Sequence, residues 1–459
     1  MRTPNPPAES IVDLPFSELR EAIHTRLITA EELVEASLLR AHETEHLRSW
    51  SYIDEEGALS QARVLDSEAR SGNFRGPLHG MPIGFKDNIG VAGMPFELGC
   101  DSYKGRVASV DSAIAQRLRD AGGIPLGINV MHALGLGNAV RHGHRATSRH
   151  PWNDVYVPGG SSCGSAVATA ARSCVISIGG DTGGSVRAPA SSCGVVGFKP
   201  TWRRLDGRGT GHFSWSMDTL GVFARGLEEV TAALRAGFVN MRDHDRATGP
   251  IRIGVLSDNS YRKPSREVAA VMFDVRRAIV EAGHVVSDIG NIDLDSAMDI
   301  WQSRLAEMYA VFAADEVITP ERVPASLLSL IRHAATIPAQ EYVESWSRGE
   351  ALAGALDNAL ESVDAILLPA TPERALSWER WKTSGEPGSD VTSWYSYLIP
   401  FNVTGHPAVT IPWTLVEDSV PCAFQLVGRR GGDEKLLEIG EILQSLSPWE
   451  DLRPINTFQ

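Results

Sequence analysis

Three short stretches carry residue types able to do chemistry. In GFKDNIG (84–90), Lys86 sits inside an otherwise apolar run. In PGGSSCGSA (158–166), Gly160, Ser162 and Gly164 match the Gly-x-Ser-x-Gly turn that presents a nucleophilic serine. In DTGGSVR (181–187), Asp181, Ser185 and Arg187 surround a glycine pair. Taken singly, these stretches leave several chemistries open. Ser162, followed by Asp364 or Asp390 and then His406, has the residue order of an α/β-hydrolase esterase. Asp181 opens an Asp-Thr-Gly, but aspartic-protease chemistry needs two carboxylates sharing one proton. The chain has no second Asp-Thr-Gly or Asp-Ser-Gly, so that chemistry is set aside. Ser185 needs a base to take its proton, and no histidine lies near it in sequence. A strand lysine ordinarily snorkels to solvent, so Lys86 needs a reason to stay inside.

The surrounding elements alternate. TAEELVEASLLRAHETEHL reads as a helix opened by a Thr29–Glu32 capping box. A second helix falls near 58–70, and MPIGFKDNIG (81–90) reads as a buried strand ending in a polar turn. DSAIAQRLRDAGG (111–123) is a helix with Asp111 as N-cap, and IPLGINV after it is a strand. Further helices are expected near 164–173, 226–239, 265–282, 294–314, 338–361 and 432–446. Further strands are expected at 174–178, 194–198, 251–256, 284–289, 364–369, 407–412 and 422–427. This pattern predicts one large α/β domain over 1–459, with a mixed, mostly parallel central sheet covered by helices on both faces. Residues 1–12, rich in proline, are expected to be loose.

Composition narrows the function classes. Hydrophobic residues make up 43% of the 459 and charged residues 22%, as in ordinary soluble globular proteins. A net charge of −14 argues against nucleic acid and anionic membrane as partners, since both need a basic footprint. The five cysteines form no Cys-x-x-Cys pair, which suggests neither a disulfide framework nor a zinc site and fits a reducing cytoplasm. No apolar leader is read at the N-terminus, and the most apolar run, 163–178, is interrupted by Arg172.

Read together, GFKDNI, PGGSSCGSA and GGDTGGSVRAPASSCGVVGFKPT resemble the amidase signature family. The resemblance continues in order through SMDTLGVFAR (216–225), ILLPATP (366–372), PFNVTGHPAVTIP (400–412) and FQLVGRRGGDEKLLEIGEIL (424–443), with the signature core at about 75–235. It implies a Ser-cisSer-Lys triad. Lys86 falls at the family's lysine, Ser161 at its bridging serine after a cis peptide bond, and Ser185 at its nucleophile. The interval of 24 positions between Ser161 and Ser185 is the family's own. The resemblance further implies an oxyanion hole from the backbone of Thr182, Gly183, Gly184 and Ser185. Asp181, Arg187 and Ser162 would support that turn.

The residue types suit amide hydrolysis. A lysine acts as a base only when neutral. Its free pKa of about 10.4 must therefore fall, and the apolar strand around Lys86 offers the desolvation to lower it. Ser161 would pass the proton from Ser185 to Lys86 and then to the leaving nitrogen, which departs only when protonated. Backbone N–H groups at a two-glycine turn would stabilise the tetrahedral oxyanion, by roughly 3–4 kcal/mol per donor. Water would release the acyl group from Ser185. No cofactor or metal is implied, and the expected partners are a small-molecule amide and water, with a homodimer as a plain base rate.

Departures from the family pattern bear on the substrate. Cys163 replaces a glycine common in its loop, and a packed, silent thiol is expected. Trp202, Arg203 and Arg204 stand where smaller residues are usual. In the basic stretch 138–150, His142 and His144 have no acid or cysteine nearby, so a solvated loop is expected rather than a metal site. Arg141, Arg145 or Arg149 there would suit a substrate carboxylate. The resemblance implies that the aromatic stretch 377–398 approaches the substrate cleft, so a pocket wall of Trp378, Trp381 and Trp394, with Met131, Phe213 and Trp215, is expected to favour aryl or bulky apolar amides. One alternative is an amidotransferase component that works with partner chains. The other is the esterase built on Ser162 and His406.

Overall fold

A computed structural model describes residues 11–136, 147–238, 249–257, 260–312, 325–382 and 391–447, with single positions beside them (315, 318, 319, 321–323, 449, 452 and 454). Eleven strands among these residues form one sheet. They are β1 (Trp50–Ile53), β2 (Pro82–Lys86), β3 (Ile124–Asn129), β4 (Ile176–Asp181), β5 (Val196–Lys199), β6 (Thr219–Ala224), β7 (Arg252–Val255), β8 (Val285–Asp288), β9 (Ala365–Pro369), β10 (Ala408–Val416) and β11 (Val420–Val427). Their order is β1-β3-β2-β4-β6-β5-β10-β11-β9-β7-β8.

The sheet is mixed and flanked by helices, as expected. Parallel pairing is confined to β3–β2–β4 and β9–β7–β8, while the centre is antiparallel. Four of the ten pairings are thus parallel, fewer than the alternation of elements suggests. The β5–β10, β10–β11 and β11–β9 junctions supply three of the six antiparallel pairings, and β6, a strand the sequence reading passes over, supplies two more. Its six residues are all buried, and it runs antiparallel to both β4 and β5. β1 is likewise additional and antiparallel to β3.

Most helices lie where periodicity puts them. Thr29 and Glu32 form the reciprocal capping box of the helix Ala30–Glu43. The helix Ala113–Asp120 is capped by Ser112 rather than Asp111, because Asp111 accepts from Ala92 N at 2.7 Å and pairs with Arg119 at 2.9 Å. The single helix expected over 294–314 is two, Ser296–Arg304 and Ala306–Phe312. Ile11 and Val12, expected to be loose, are buried in the main core. Among the described residues no helix is long and apolar enough to cross a membrane.

Close approach of strands sets the site's footing. A Cβ on Gly84 would lie 2.4 Å from Asn129 Oδ1 and 2.7 Å from Ser177 Oγ, so only glycine lets β2 nest between β3 and β4. The three strands are parallel, so their carboxyl ends bring Lys86, Asn129 and Asp181 to the same edge. Ligands in α/β sheets gather at such edges.

Candidate active site

Lys86 ends β2 and is only 2% exposed. Its Nζ donates to Ser161 Oγ at 2.8 Å and to Gly180 O at 3.3 Å. Burial lowers its pKa from 10.5 to about 8, against Cys163, Asp181 and Asp218, which favour the charged form. Lys199 is a second buried lysine, also lowered by burial, to about 7. Among the described residues it bonds main-chain oxygens alone, of Pro200 at 3.0 Å and His406 at 2.6 Å, and so ties β5 to the segment before β10. Lys86 instead meets a hydroxyl.

Ser161 follows a cis peptide bond from Gly160 and precedes the helix Cys163–Ala170. His132 N donates to Ser161 O at 3.0 Å. Ser162 joins this loop to the next: its N donates to Ser185 O at 3.4 Å and its Oγ to Gly180 O at 3.1 Å. His406 lies elsewhere, its ring nitrogens bonded to Thr404 at 2.9 Å and Asp357 at 3.1 Å. Asp364 is engaged with Arg252, and Asp390 lies outside the described residues. The Ser162–His406 pairing of the esterase alternative is therefore not assembled.

The turn after β4 is held from below. Asp181 accepts from Gly184 N at 2.8 Å, Val186 N at 3.0 Å and Arg187 N at 3.3 Å, and pairs with the Arg187 guanidinium at 2.9 and 3.1 Å. Burial would raise this carboxyl, but the Arg187 charge outweighs it and holds the group well below the usual carboxylate range. Arg187 also donates to Gln425 Oε1 at 2.8 Å and Asn402 Oδ1 at 2.7 Å. Asn402 Nδ2 returns to Asp181 O at 2.9 Å and Oδ1 at 2.8 Å. The buttressing expected of Asp181 and Arg187 is present, with Asn402 and Gln425 as further members. The polar Gln425 within the otherwise apolar β11 was the available signal for this network.

The four backbone N–H groups expected to face an oxyanion differ in their engagement. The N–H groups of Thr182, Gly183 and Ser185 make no hydrogen bond among the described residues, but Gly184 N–H is already committed to Asp181. Gly184 has φ 114°, and a Cβ there would lie 2.6 Å from Leu398, so the turn needs glycine for shape rather than as a donor. Trp301, for which the sequence gives no signal, covers the turn and donates Nε1 to Thr182 O at 3.2 Å. Thr182 Oγ1 donates to Asp218 at 2.6 Å.

Lys86, Ser161, Gly180, Asp181 and Thr182 line a cleft of about 620 Å³. Gly183, Gly184 and Ser185 are not among its lining residues, and Ser185 is 8% exposed with no side-chain hydrogen bond among the described residues. Met131, Phe213 and the half-exposed Trp215 are also among its lining residues. Trp378, Trp381 and Trp394 do not. Their segments fold inward onto a second core, where Trp381 lies 6.1 Å from the His132 ring and Trp394 Nε1 donates to Glu373 O and Arg374 O. Cys163 is buried off the cleft, with Sγ 3.6 Å from Val130 O. Arg149 pairs with Asp154, while Arg141, His142, His144 and Arg145 lie outside the described residues. Among the described residues no group of three His, Cys, Asp or Glu is arranged to hold a metal ion.

The model of the amidase family matches residues 32–437 of this chain. The chain belongs to the amidase family. This amidase-family chain is 30% identical to one subunit of the glutamyl-tRNA(Gln) amidotransferase of Nitratidesulfovibrio vulgaris, over 95% of its own length and 97% of that protein. It is 27% identical to the corresponding subunit from Acaryochloris marina, over 95% and 99%. Among solved structures, a crystal structure of an amidase superposes with a TM-score of 0.87 at 27% identity, covering 95% of this chain and 100% of that one. Native peptide amidase from Stenotrophomonas maltophilia superposes with a TM-score of 0.80 at 25% identity, over 98% and 99%.

Proposed function

We propose that this chain hydrolyses a carboxylic amide of a small molecule through an acyl-enzyme on Ser185, with Ser161 as proton relay and Lys86 as base. The observation that carries the reading is the buried Lys86 Nζ–Ser161 Oγ hydrogen bond of 2.8 Å. A lysine lowered to about 8 has a substantial neutral fraction near neutral pH, so it can accept the Ser161 proton as Ser161 takes that of Ser185. Attack of Ser185 Oγ on the carbonyl carbon makes the tetrahedral intermediate, and the N–H groups of Thr182, Gly183 and Ser185 are the donors for its oxyanion. Ser161 then gives the proton to the nitrogen, the C–N bond breaks and the amine leaves. Water, deprotonated along the same relay, attacks the ester and restores Ser185.

The test is a panel of acyl and amine variants assayed with wild type, Lys86→Ala, Ser185→Ala and His406→Ala. Turnover should vanish in the first two variants and persist in the third. Loss in His406→Ala with retention in Ser185→Ala overturns the reading. The amidotransferase relatives favour a second reading, a component that works with partner chains. Hydrolysis of simple amides by the purified chain alone would decide against it.

A further inference from the structure

The lining of the cleft is of two kinds. Leu98, Met131, Leu134, Phe213 and Phe312 are its apolar members. The turn 202–208 adds Trp202 and three arginines to the same lining. Two of the arginines are engaged. Arg204 is paired with Glu434, and Arg208 with Asp206 at 2.6 Å. Arg203 meets no carboxylate among the described residues. Its guanidinium carbon instead lies 4.1 Å from the centroid of the Trp202 ring.

The turn beneath Arg203 is firmly tied. Thr201 donates N and Oγ1 to the buried Asp433 at 2.7 and 2.6 Å, Trp202 N donates to Gly405 O at 3.1 Å, and Arg204 N to Thr201 O at 2.9 Å. Arg203 itself is exposed and has φ 63°, a left-handed conformation that glycine adopts at no cost. A guanidinium stacked by its face on an indole keeps its N–H edge free, and that edge matches a carboxylate with two parallel bonds.

We infer that the cleft selects amides that carry a second, anionic group, a carboxylate, which seats on the N–H edge of Arg203 while the apolar body lies against the apolar lining residues. The inference rests on the amide-hydrolase reading and names its substrate class. The carboxylate has two sources, the acyl part or the amine part, and the experiment separates them.

Three amides of one apolar body would be compared: a neutral one, one with a terminal carboxylate on the acyl chain, and one whose amine is an amino acid. Each is assayed with wild type, Arg203→Gly, Arg203→Gln and Arg203→Lys. In wild type, kcat/KM for one carboxylate arm should exceed the neutral amide roughly five- to tenfold. That ratio should fall to about one in the glycine and glutamine variants and survive in part in the lysine variant. Glycine suits the backbone there, and a melting temperature matched to wild type would show that the fold is kept. Binding of 4-phenylbutyrate by calorimetry gives a readout independent of turnover and should weaken about fivefold in Arg203→Gly. Equal rates for all three amides in wild type, or a preference that Arg203→Gly and Arg203→Gln leave unchanged, overturns the inference while leaving amide hydrolysis intact. Absence of Ser185-dependent turnover on every amide would instead remove the parent reading, and the calorimetry would then decide the carboxylate site alone.

Discussion

A lysine accepts a proton only in its neutral form, so pH is the direct probe of Lys86. Burial brings its pKa to about 8, well under the 10.5 of a solvated side chain. Its neutral fraction therefore grows as pH rises, and kcat/KM should climb through pH 7 and level off above about 8. In Lys86→Ala that limb should disappear, with turnover down about a thousandfold or more. A profile flat from pH 6 to 9, or one falling as pH rises through 8, would place the base elsewhere. Lys199 shows why burial alone is a poor guide. It is lowered as well, yet among the described residues its Nζ bonds two main-chain oxygens and no hydroxyl.

At the scale of elements, the turn after β4 depends on groups delivered by distant segments. Asn402 and Gln425 lie more than two hundred residues beyond Asp181, and both meet the Arg187 guanidinium in full burial. Asp181→Asn leaves that guanidinium without its counter-charge and should cost about 3–5 kcal/mol of stability. Asn402→Ala removes two bonds to Asp181 and one to Arg187 and should cost about 2–3 kcal/mol, with a slower acylation as the turn loosens. Denaturant titration and single-turnover assays would check both, and an unchanged midpoint in either variant would mean that the turn holds itself. The same turn marks how far the sequence can be read. The two glycines, Asp181 and Ser185 are contiguous, and local spacing reveals them. Gln425 left a trace, one amide in an apolar strand, but Trp301 left none, because only the folded chain brings its helix over Thr182. The aromatic run 377–398 misled for a related reason. Tryptophans suit a core as well as a pocket wall, and their direction is set by packing partners that lie elsewhere in the chain.

At the scale of the molecule, the decisive pairings are long-range, which is why the strand order escapes a local reading. β6 returns between β4 and β5 and makes both junctions antiparallel, and no sequence period encodes that return. β1 to β6 lie before residue 239 and β7 to β11 after it, yet they share one sheet through β5 and β10, paired at Gly197–Thr410, Phe198–Val409 and Lys199–Ala408. Severing the chain near residue 245 should therefore leave neither part a folded unit. The first would present β5 as an unpaired edge and Arg187 without Asn402 and Gln425, a state prone to edge-to-edge association. Expressed alone, each part should aggregate or melt without a cooperative transition, while co-expression should restore a soluble pair with amidase turnover. A first part that is monomeric and melts sharply on its own would show that the shared sheet joins two domains that fold independently.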